Sequence, residues 1–187
     1  MSHEDFAQSI EAHPYLPLYL TGDARGLLSL WEFCQSEDRS LDTWFTEQGD
    51  WRQLDAKKST VKKIAFNGYG DKVYSCNLDG HISVFNFDNM ESSRSMPIFQ
   101  LKKSKEEKIS DFEILNHDTV FAAVCAKPKH LWVYDTLFSS RGGLILEAPV
   151  GGSVIQSFKG RSQIVLFNGE KAGSLTLFDL KMNKVVL

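Results

Sequence analysis

Two histidines, His81 and His130, open equivalent runs, "HISVFNF" and "HLWVYDT". Imidazoles so placed could ligate a metal, but zinc needs three or four protein ligands. No Cys-x-x-Cys or His-Glu-x-x-His supplies the others, so both are expected at surface turns. Cys34, Cys76 and Cys125 are odd in number and far apart, and the acidic start "MSHEDFAQS" lacks the basic-then-apolar order of a secretion signal. They read as reduced thiols that pack. The glycine-bounded stretches "GGLILEAPVGG" and "GRSQIVLFNGEKAG" lack the Lys-Ser/Thr ending of a phosphate-binding loop and are expected as turns, although "QIVLFN" within the second also reads as a strand of the fourth unit. No Gly-x-Ser-x-Gly marks a nucleophile. The expectation is therefore no catalytic residue, no cofactor and no metal. "KPKH", residues 127 to 130, is a basic cluster in a tight turn, suited to an acidic partner. "KKSKEEK" interleaves glutamates with its lysines and reads as a solvated loop.

The elements that would carry these residues must come from 187 residues, enough for one ordinary domain with a real core. At 42% hydrophobic and 24% charged the chain falls in the soluble globular range. A net charge of -3 argues against a nucleic-acid surface, which needs many Lys and Arg against phosphates. No apolar run approaches the ~20 residues of a membrane-spanning helix, so no direct membrane insertion is expected.

One ending recurs four times: "SLWEF", "SVFNF", "WVYDT" and "TLFDL". It places Trp31, Phe85, Tyr134 and Phe178 at one position and Glu32, Asn86, Asp135 and Asp179 at the next. A drifting period of this length signals a repeat architecture. Each unit has the same internal order. In the second, "VKKIAFN" alternates as a half-buried strand, "GYGD" is a turn, "KVYSCNL" a strand, "DG" a type I′ hairpin turn and "HISVFNF" a third strand. "LDTWFTE" and "MPIFQLK" are expected as outer strands, and "KVVL" as the start of another. Helical signals are weak. The expected fold is all-β: a β-propeller segment of about four blades of four-stranded antiparallel sheet, with boundaries near 1–47, 48–100, 101–150 and 151–187. The recurring aromatic fills the space between neighbouring sheets, and the acid after it accepts from free backbone N–H groups at the strand end.

With the units aligned, "LTGDARGLLSLWEF" and "SCNLDGHISVFNF" resemble the ending of a WD repeat. "HPYLPLYLTG" leading into "LWEF", "FNGYGDKVYSCNLDGHISVF" and "LWVYDTL" resemble the C-terminal WD repeats of the DmX-like (rabconnectin) family, from about residue 11 onward. WD blades often carry a His–Ser–Trp–Asp hydrogen-bond network. Here the turn Asp is present as Asp79, while its counterparts are Arg25, Pro128 and Ala172. Ser75 and Asp79 are the best candidates for a partial network, and Phe85 supplies no indole donor. Such blades should rely on packing more than on buried polar bonds.

The resemblance implies a non-catalytic protein-interaction scaffold. It would act in assembly and regulation of the vacuolar-type proton-translocating ATPase, with pump subunits and another WD-repeat subunit as partners. It would be cytoplasmic, and peripheral at endosomal, vacuolar or vesicle membranes. The alternative is a WD scaffold of another complex: a vesicle coat, a ubiquitin ligase or ciliary transport. Four WD blades fall short of the usual ring, so the chain is expected to be part of a propeller. In WD propellers the turns joining second to third strands share a face often used for binding. Here those turns carry Asp23, Arg25, Asp79, His81, Lys127, Lys129, Glu170 and Lys171.

Overall fold

The computed structural model describes residues 6–35, 43–52, 59–87, 98–101, 106–115, 118–137, 143–158, 161–168 and 173–187, with backbone alone over 32–35 and 43–52. The chain divides into two compact units. One comprises Met1–Leu78 with Ile82–Gln100, the other Asp79–His81 with Leu101–Leu187.

In the first unit, β1 (Ala7–Ala12), β2 (Leu18–Asp23), β3 (Leu27–Gln35) and β4 (Thr43–Arg52) form one antiparallel sheet in chain order. A second sheet follows the same order with β5 (Val61–Phe66), β6 (Lys72–Asn77), β7 (Ile82–Asn86) and β8 (Phe99–Leu101). In the second unit, β9 (Asp111–Ile114), β10 (Val120–Cys125), β11 (His130–Asp135) and β12 (Leu144–Ala148) make the third sheet. The fourth contains β13 (Val154–Ser157), β14 (Gln163–Asn168), β15 (Ser174–Asp179) and β16 (Lys184–Val185). Four meanders of four strands are the repeat that the sequence predicts. The outer strands β4, β8 and β16 fall within "LDTWFTE" and its continuation, "MPIFQLK" and "KVVL".

The fourth strand of the third sheet corrects the reading of "GGLILEAPVGG" as a turn. Leu144–Ala148 pairs with β11, with Leu131 opposite Ala148 and Trp132 opposite Glu147. The glycines bound the strand rather than define a loop, and Asp135 N donates to Gly143 O at 2.8 Å, where the pairing begins.

Register explains the recurring aromatic. Phe66, Val73 and Phe85 lie abreast across β5, β6 and β7. Ser157, Ile164 and Phe178 do so across β13, β14 and β15. Ala12, Tyr19 and Trp31, and Ile114, Phe121 and Tyr134, are the equivalent rows. Successive strand residues face opposite ways, so Leu30 and Val133 look to the far side of their sheets. Phe85 joins one buried cluster with Leu20, Leu28 and Leu30 of the first sheet. Phe178 joins another with Ala122, Val124, Leu131 and Val133 of the third. In each unit the aromatic-bearing face of the second sheet thus packs on the aliphatic face of the first. Phe85, Tyr134 and Phe178 are buried and Trp31 is half-buried. Tyr134 stacks on Phe121 at 5.6 Å within its own sheet.

The inner strands add polar links to this packing. Asp111 Oδ2 accepts from Ile155 N at 3.1 Å, and Glu113 Oε1 accepts from Gln156 Nε2 and Ser157 Oγ, each at 2.9 Å. In the first unit Glu11 takes the place of Glu113. Burial raises its carboxyl above the ordinary range, partly offset by Lys63. Two of the acids after the aromatics accept from backbone N–H groups at the strand end, as expected. Asp135 Oδ1 accepts from Leu137 N at 2.9 Å, and Asp179 Oδ1 accepts from Lys181 N at 2.9 Å and Met182 N at 3.0 Å.

The segment "HPYLPL" forms a separate joint. His13 Nδ1 accepts from the backbone N–H of Tyr15 (3.1 Å) and Leu16 (3.0 Å). Two donors at Nδ1 place the ring proton on Nε2, which donates to Gly70 O at 3.1 Å. The imidazole packs on Phe66 and Phe87, with ring centroids 5.0 and 5.1 Å away. Tyr15 OH donates to Gly68 O at 2.8 Å. The β1–β2 turn is thereby fastened to the β5–β6 turn. Gly70 adopts φ 77°, and a Cβ there would sit 2.5 Å from the imidazole, so only glycine fits without strain.

Candidate functional site

The turns between second and third strands are the candidate surface. The β2–β3 turn is built by Asp23, whose Oδ1 accepts from Arg25 N at 2.8 Å and Leu27 N at 2.9 Å. That local bonding is why an Asp suits a turn of this kind. It also withdraws Asp23 from the surface, at 1% exposure, so Asp23 is a scaffold of the turn rather than a contact residue. Arg25 is left exposed at the tip. Thr60, just ahead of β5, braces the turn by donating from Oγ1 to Ala24 O at 3.1 Å.

Thr60 also braces the β6–β7 turn, where its carbonyl accepts from Leu78 N at 2.9 Å. The "DG" turn is not the two-residue type I′ hairpin predicted. Residues 77–81 connect the last strand pair, Cys76 opposite Ile82. Among the described residues the only non-glycines with positive φ are Asp118 and Asn183. Gly80, at φ 77°, alone takes the left-handed position, as in the longer glycine-containing hairpin loops. Asp79 is exposed and His81 half-buried.

The β10–β11 turn exposes Lys127 and Lys129. Its start is held by Ser110 Oγ, which accepts from Ala126 N at 3.1 Å. His130 lies with Nδ1 3.4 Å from Glu107 Oε1, and its ring meets Trp132 edge-on at 5.2 Å. Trp132 Nε1 in turn donates to Glu147 Oε1 at 3.1 Å. The Cys125 thiol donates to Lys127 O at 3.3 Å. Burial pushes that thiol above its ordinary value, so it behaves as a packing group and not as a nucleophile.

Within the second unit two turns converge on one segment. A Cβ on Gly80 would lie 2.5 Å from Ile109 N and 3.0 Å from Lys108 Cα, while Ser110 bonds the other turn. Asp79, His81, Lys127 and Lys129 therefore border Lys108–Ser110. Lys108 itself is exposed and Glu107 half-buried, so the rim has mixed charge. Sequence reasoning missed Lys108 and Glu107 because "KKSKEEK" reads as a solvated loop, and nothing local shows that its end runs between two turns. Arg25 belongs to the first unit, and Glu170 and Lys171 lie outside the described residues.

Trp31 Nε1 donates to Thr21 Oγ1 at 2.7 Å. The indole-to-hydroxyl link of the WD network thus sits in the first sheet, although Ser75 and Asp79 of the second are the better sequence match. Threonine carries the same hydroxyl as serine, which is the signal that was available. Among the described residues no group of three or more His, Cys, Asp or Glu is placed to hold a metal ion. Nor, among them, is any helix long and apolar enough to cross a membrane.

No family model matches the chain. DmX-like protein 1 of Mus musculus is 24% identical over 180 residues, 92% of this chain and 6% of that protein. DmX-like protein 1 of Homo sapiens is 25% identical over 176 residues, 90% of this chain and 5% of that protein. The chain thus spans only a small part of the length of these curated relatives. Among solved structures, the C-terminal WD40 domain of Sif2 matches with a TM-score of 0.70 at 10% identity, over 97% of this chain and 48% of that one. The β-propeller domain of Myceliophteria thermophila Cps50 (Swd1) matches with 0.70 at 11%, over 92% and 52%. Saccharomyces cerevisiae Sqt1 matches with 0.65 at 16%, over 98% and 48%. The chain carries the WD-repeat β-propeller fold and is similar over about nine-tenths of its length to the DmX-like proteins.

Proposed function

We propose that the chain is a non-catalytic protein-interaction scaffold, a WD-repeat segment of a DmX-like protein that acts in assembly and regulation of the vacuolar-type proton-translocating ATPase. It works in the cytoplasm, peripherally at endosomal, vacuolar or vesicle membranes. Its partners are pump subunits and a second WD-repeat protein. The observation that carries this reading is the similarity to DmX-like protein 1 along 92% of the chain. "HPYLPLYLTG" adds to it, because its histidine and tyrosine build a joint between two sheets. The turns suit protein contact. Arg25, Asp79, Lys108, Lys127 and Lys129 are exposed and of mixed sign, the chemistry of a polar, steerable interface rim.

The test is affinity capture from the cell of origin with the full-length protein, wild type against Arg25→Glu/Lys127→Glu/Lys129→Glu. Pump subunits recovered with wild type and lost with the triple variant support both the function and the surface. Equal recovery removes these turns as the contact. Wild type that recovers no pump subunit, but components of a vesicle coat, a ubiquitin ligase or ciliary transport, overturns the pump assignment.

A further inference from the structure

One side-chain amide spans the turn from β5 to β6. Asn67, 1% exposed, donates from Nδ2 to Asp71 Oδ1 at 2.6 Å, and its Oδ1 accepts from Lys72 N at 2.9 Å. Only this orientation works, because the backbone N–H needs an acceptor and the carboxylate a donor. Asn67 N donates to Lys72 O at 3.1 Å, and Asn67 O accepts from Gly70 N at 3.0 Å. The carbonyls that this turn presents are the ones that hold the β1–β2 turn: Gly68 O accepts from Tyr15 and Gly70 O from His13. Burial pushes the Asp71 carboxyl up, but the Asn67 amide, the Lys72 ammonium at 3.2 Å and its own N–H outweigh burial and hold it below the ordinary 3.8. The turn thus contains an ionised carboxylate that relies on the Asn67 amide as a donor.

Gly68 follows Asn67 directly. In an Asn-Gly pair the next backbone nitrogen can attack the side-chain carbonyl carbon. A bond forms between Gly68 N and Asn67 Cγ, and the Gly68 N–H proton leaves with the side-chain NH2 as ammonia, closing a cyclic succinimide. Water then opens the ring at one carbonyl or the other, giving aspartate or isoaspartate. No oxidant or reductant is needed. Glycine favours the reaction because no Cβ crowds the nitrogen or restricts the backbone. In the folded turn the amide is tied at both ends, to Asp71 and to Lys72, and Cγ reaches Gly68 N only when both bonds are broken.

We infer that Asn67–Gly68 is a modification site gated by the fold: the closed turn protects the amide, and deamidation after the turn has opened releases the His13 joint. The product sets a second carboxylate where Asp71 now has its donor. Two ionised carboxylates at hydrogen-bond distance repel one another, and the single Lys72 ammonium neutralises only one of them. Isoaspartate further lengthens the backbone between Phe66 and Gly68 by one carbon. Either change draws the Gly68 and Gly70 carbonyls away from Tyr15 and His13. A local opening is thereby written into covalent structure, and the β1–β2 and β5–β6 turns stay uncoupled afterwards.

The test follows the tryptic peptide Ile64–Lys72 by mass spectrometry while the full-length protein is held near neutral pH, folded or unfolded in guanidinium chloride. Deamidation should be at least ~30-fold slower in the folded protein, because a neutral and a charge-assisted hydrogen bond must both break first. Equal rates overturn the gating. Asn67→Asp stands for the acid product. Amide exchange at Tyr15 and Leu16, whose N–H groups donate to His13, should lose at least ~10-fold in protection near neutrality. Protection should return in Asn67→Asp/Asp71→Asn, which again sets one amide against one carboxylate. Wild-type protection in Asn67→Asp overturns the release of the joint, and so does a swapped pair no better protected than Asn67→Asp. If Asn67→Asp leaves the chain unfolded, recovery of the folded joint by the swapped pair supports the inference and failure to recover it overturns it.

Discussion

Phe178→Ala is the substitution that most directly tests the joint between sheets. The ring is 2% exposed and lies among Ala122, Val124, Leu131, Val133, Ile155, Ile164 and Leu166. Full burial of a phenylalanine removes about 200 Å² from water. At ~25 cal/mol per Å² this gives about 5 kcal/mol as an upper bound, since the unfolded chain already hides part of that surface. Alanine keeps the Cβ, but two facing sheets collapse incompletely onto the space left behind. The expected cost is therefore ~3–5 kcal/mol. Phe167→Ala is the internal control. It removes the same ring from the same sheet, but from the opposite face and at 40% exposure, so it should cost under ~1.5 kcal/mol. Urea unfolding followed by tryptophan fluorescence measures both. The slope of free energy against urea should be common to wild type and both variants. A one-residue slip of β15 would exchange the faces. Equal costs, or a larger cost for Phe167→Ala, would refute the register and with it the account of the recurring aromatic.

Four further outcomes are expected. His13→Ala loses three hydrogen bonds and the packing on Phe66 and Phe87 and should cost ~2–4 kcal/mol. Gly70→Ala should be less harmful in the His13→Ala background than alone, because the imidazole it would strike is gone; a double-mutant cycle with zero coupling would contradict the joint. For Asp179, the Met182 N–H, aided by the Gln163 amide, Lys181 N–H and Ser162 hydroxyl, outweighs burial and holds the carboxyl below its ordinary 3.8. A lowered folded value contributes stability above the unfolded value that is lost as pH falls through the folded one, so wild type should exceed Asp179→Asn in urea midpoint near neutrality and converge with it in acid. Glu11 has the opposite sign: its raised carboxyl disfavours the folded state once pH rises through the folded value, so Glu11→Gln should be neutral to slightly stabilising near pH 7 and lose that advantage in acid.

The parts of this fold that were legible in the sequence are those set by short-range periodicity. The alternation of β6, β10 and β14, and the aromatic–acid pair that ends a third strand, locate the sheets and their faces. β12 was not legible because glycines on both sides of "LILEA" mimic a loop, and a strand paired through backbone groups needs no alternation to announce it. The exposed tips at Arg25, Asp79, Lys127 and Lys129 were legible from turn chemistry. The withdrawal of Asp23 was not, since the same residue type serves equally at a solvated tip or as an internal brace. His13 stood inside the most distinctive stretch of the chain, but its partner Gly70 is 57 residues away, and no local signal links them.

The order in which the sheets leave the ribosome gives the acids on the inner strands a second consequence. Phe85 follows Leu30 by about 55 residues, so at 5–20 residues per second the aliphatic face of the first sheet waits about 3–11 s for its cover. Phe178 likewise follows Val133 by about 45 residues. During that interval each sheet can complete its own hairpins while one side remains open to other nascent chains. Ser9 and Glu11 on β1, and Asp111 and Glu113 on β9, lie on those waiting faces. They act as gatekeepers there, interrupting an apolar surface until the next inner strand arrives to accept or supply their hydrogen bonds. β13 has Val154 and Gln156 at the same places, so the fourth sheet carries no ionised guard on that strand, and its face stays adhesive for as long as it is uncovered.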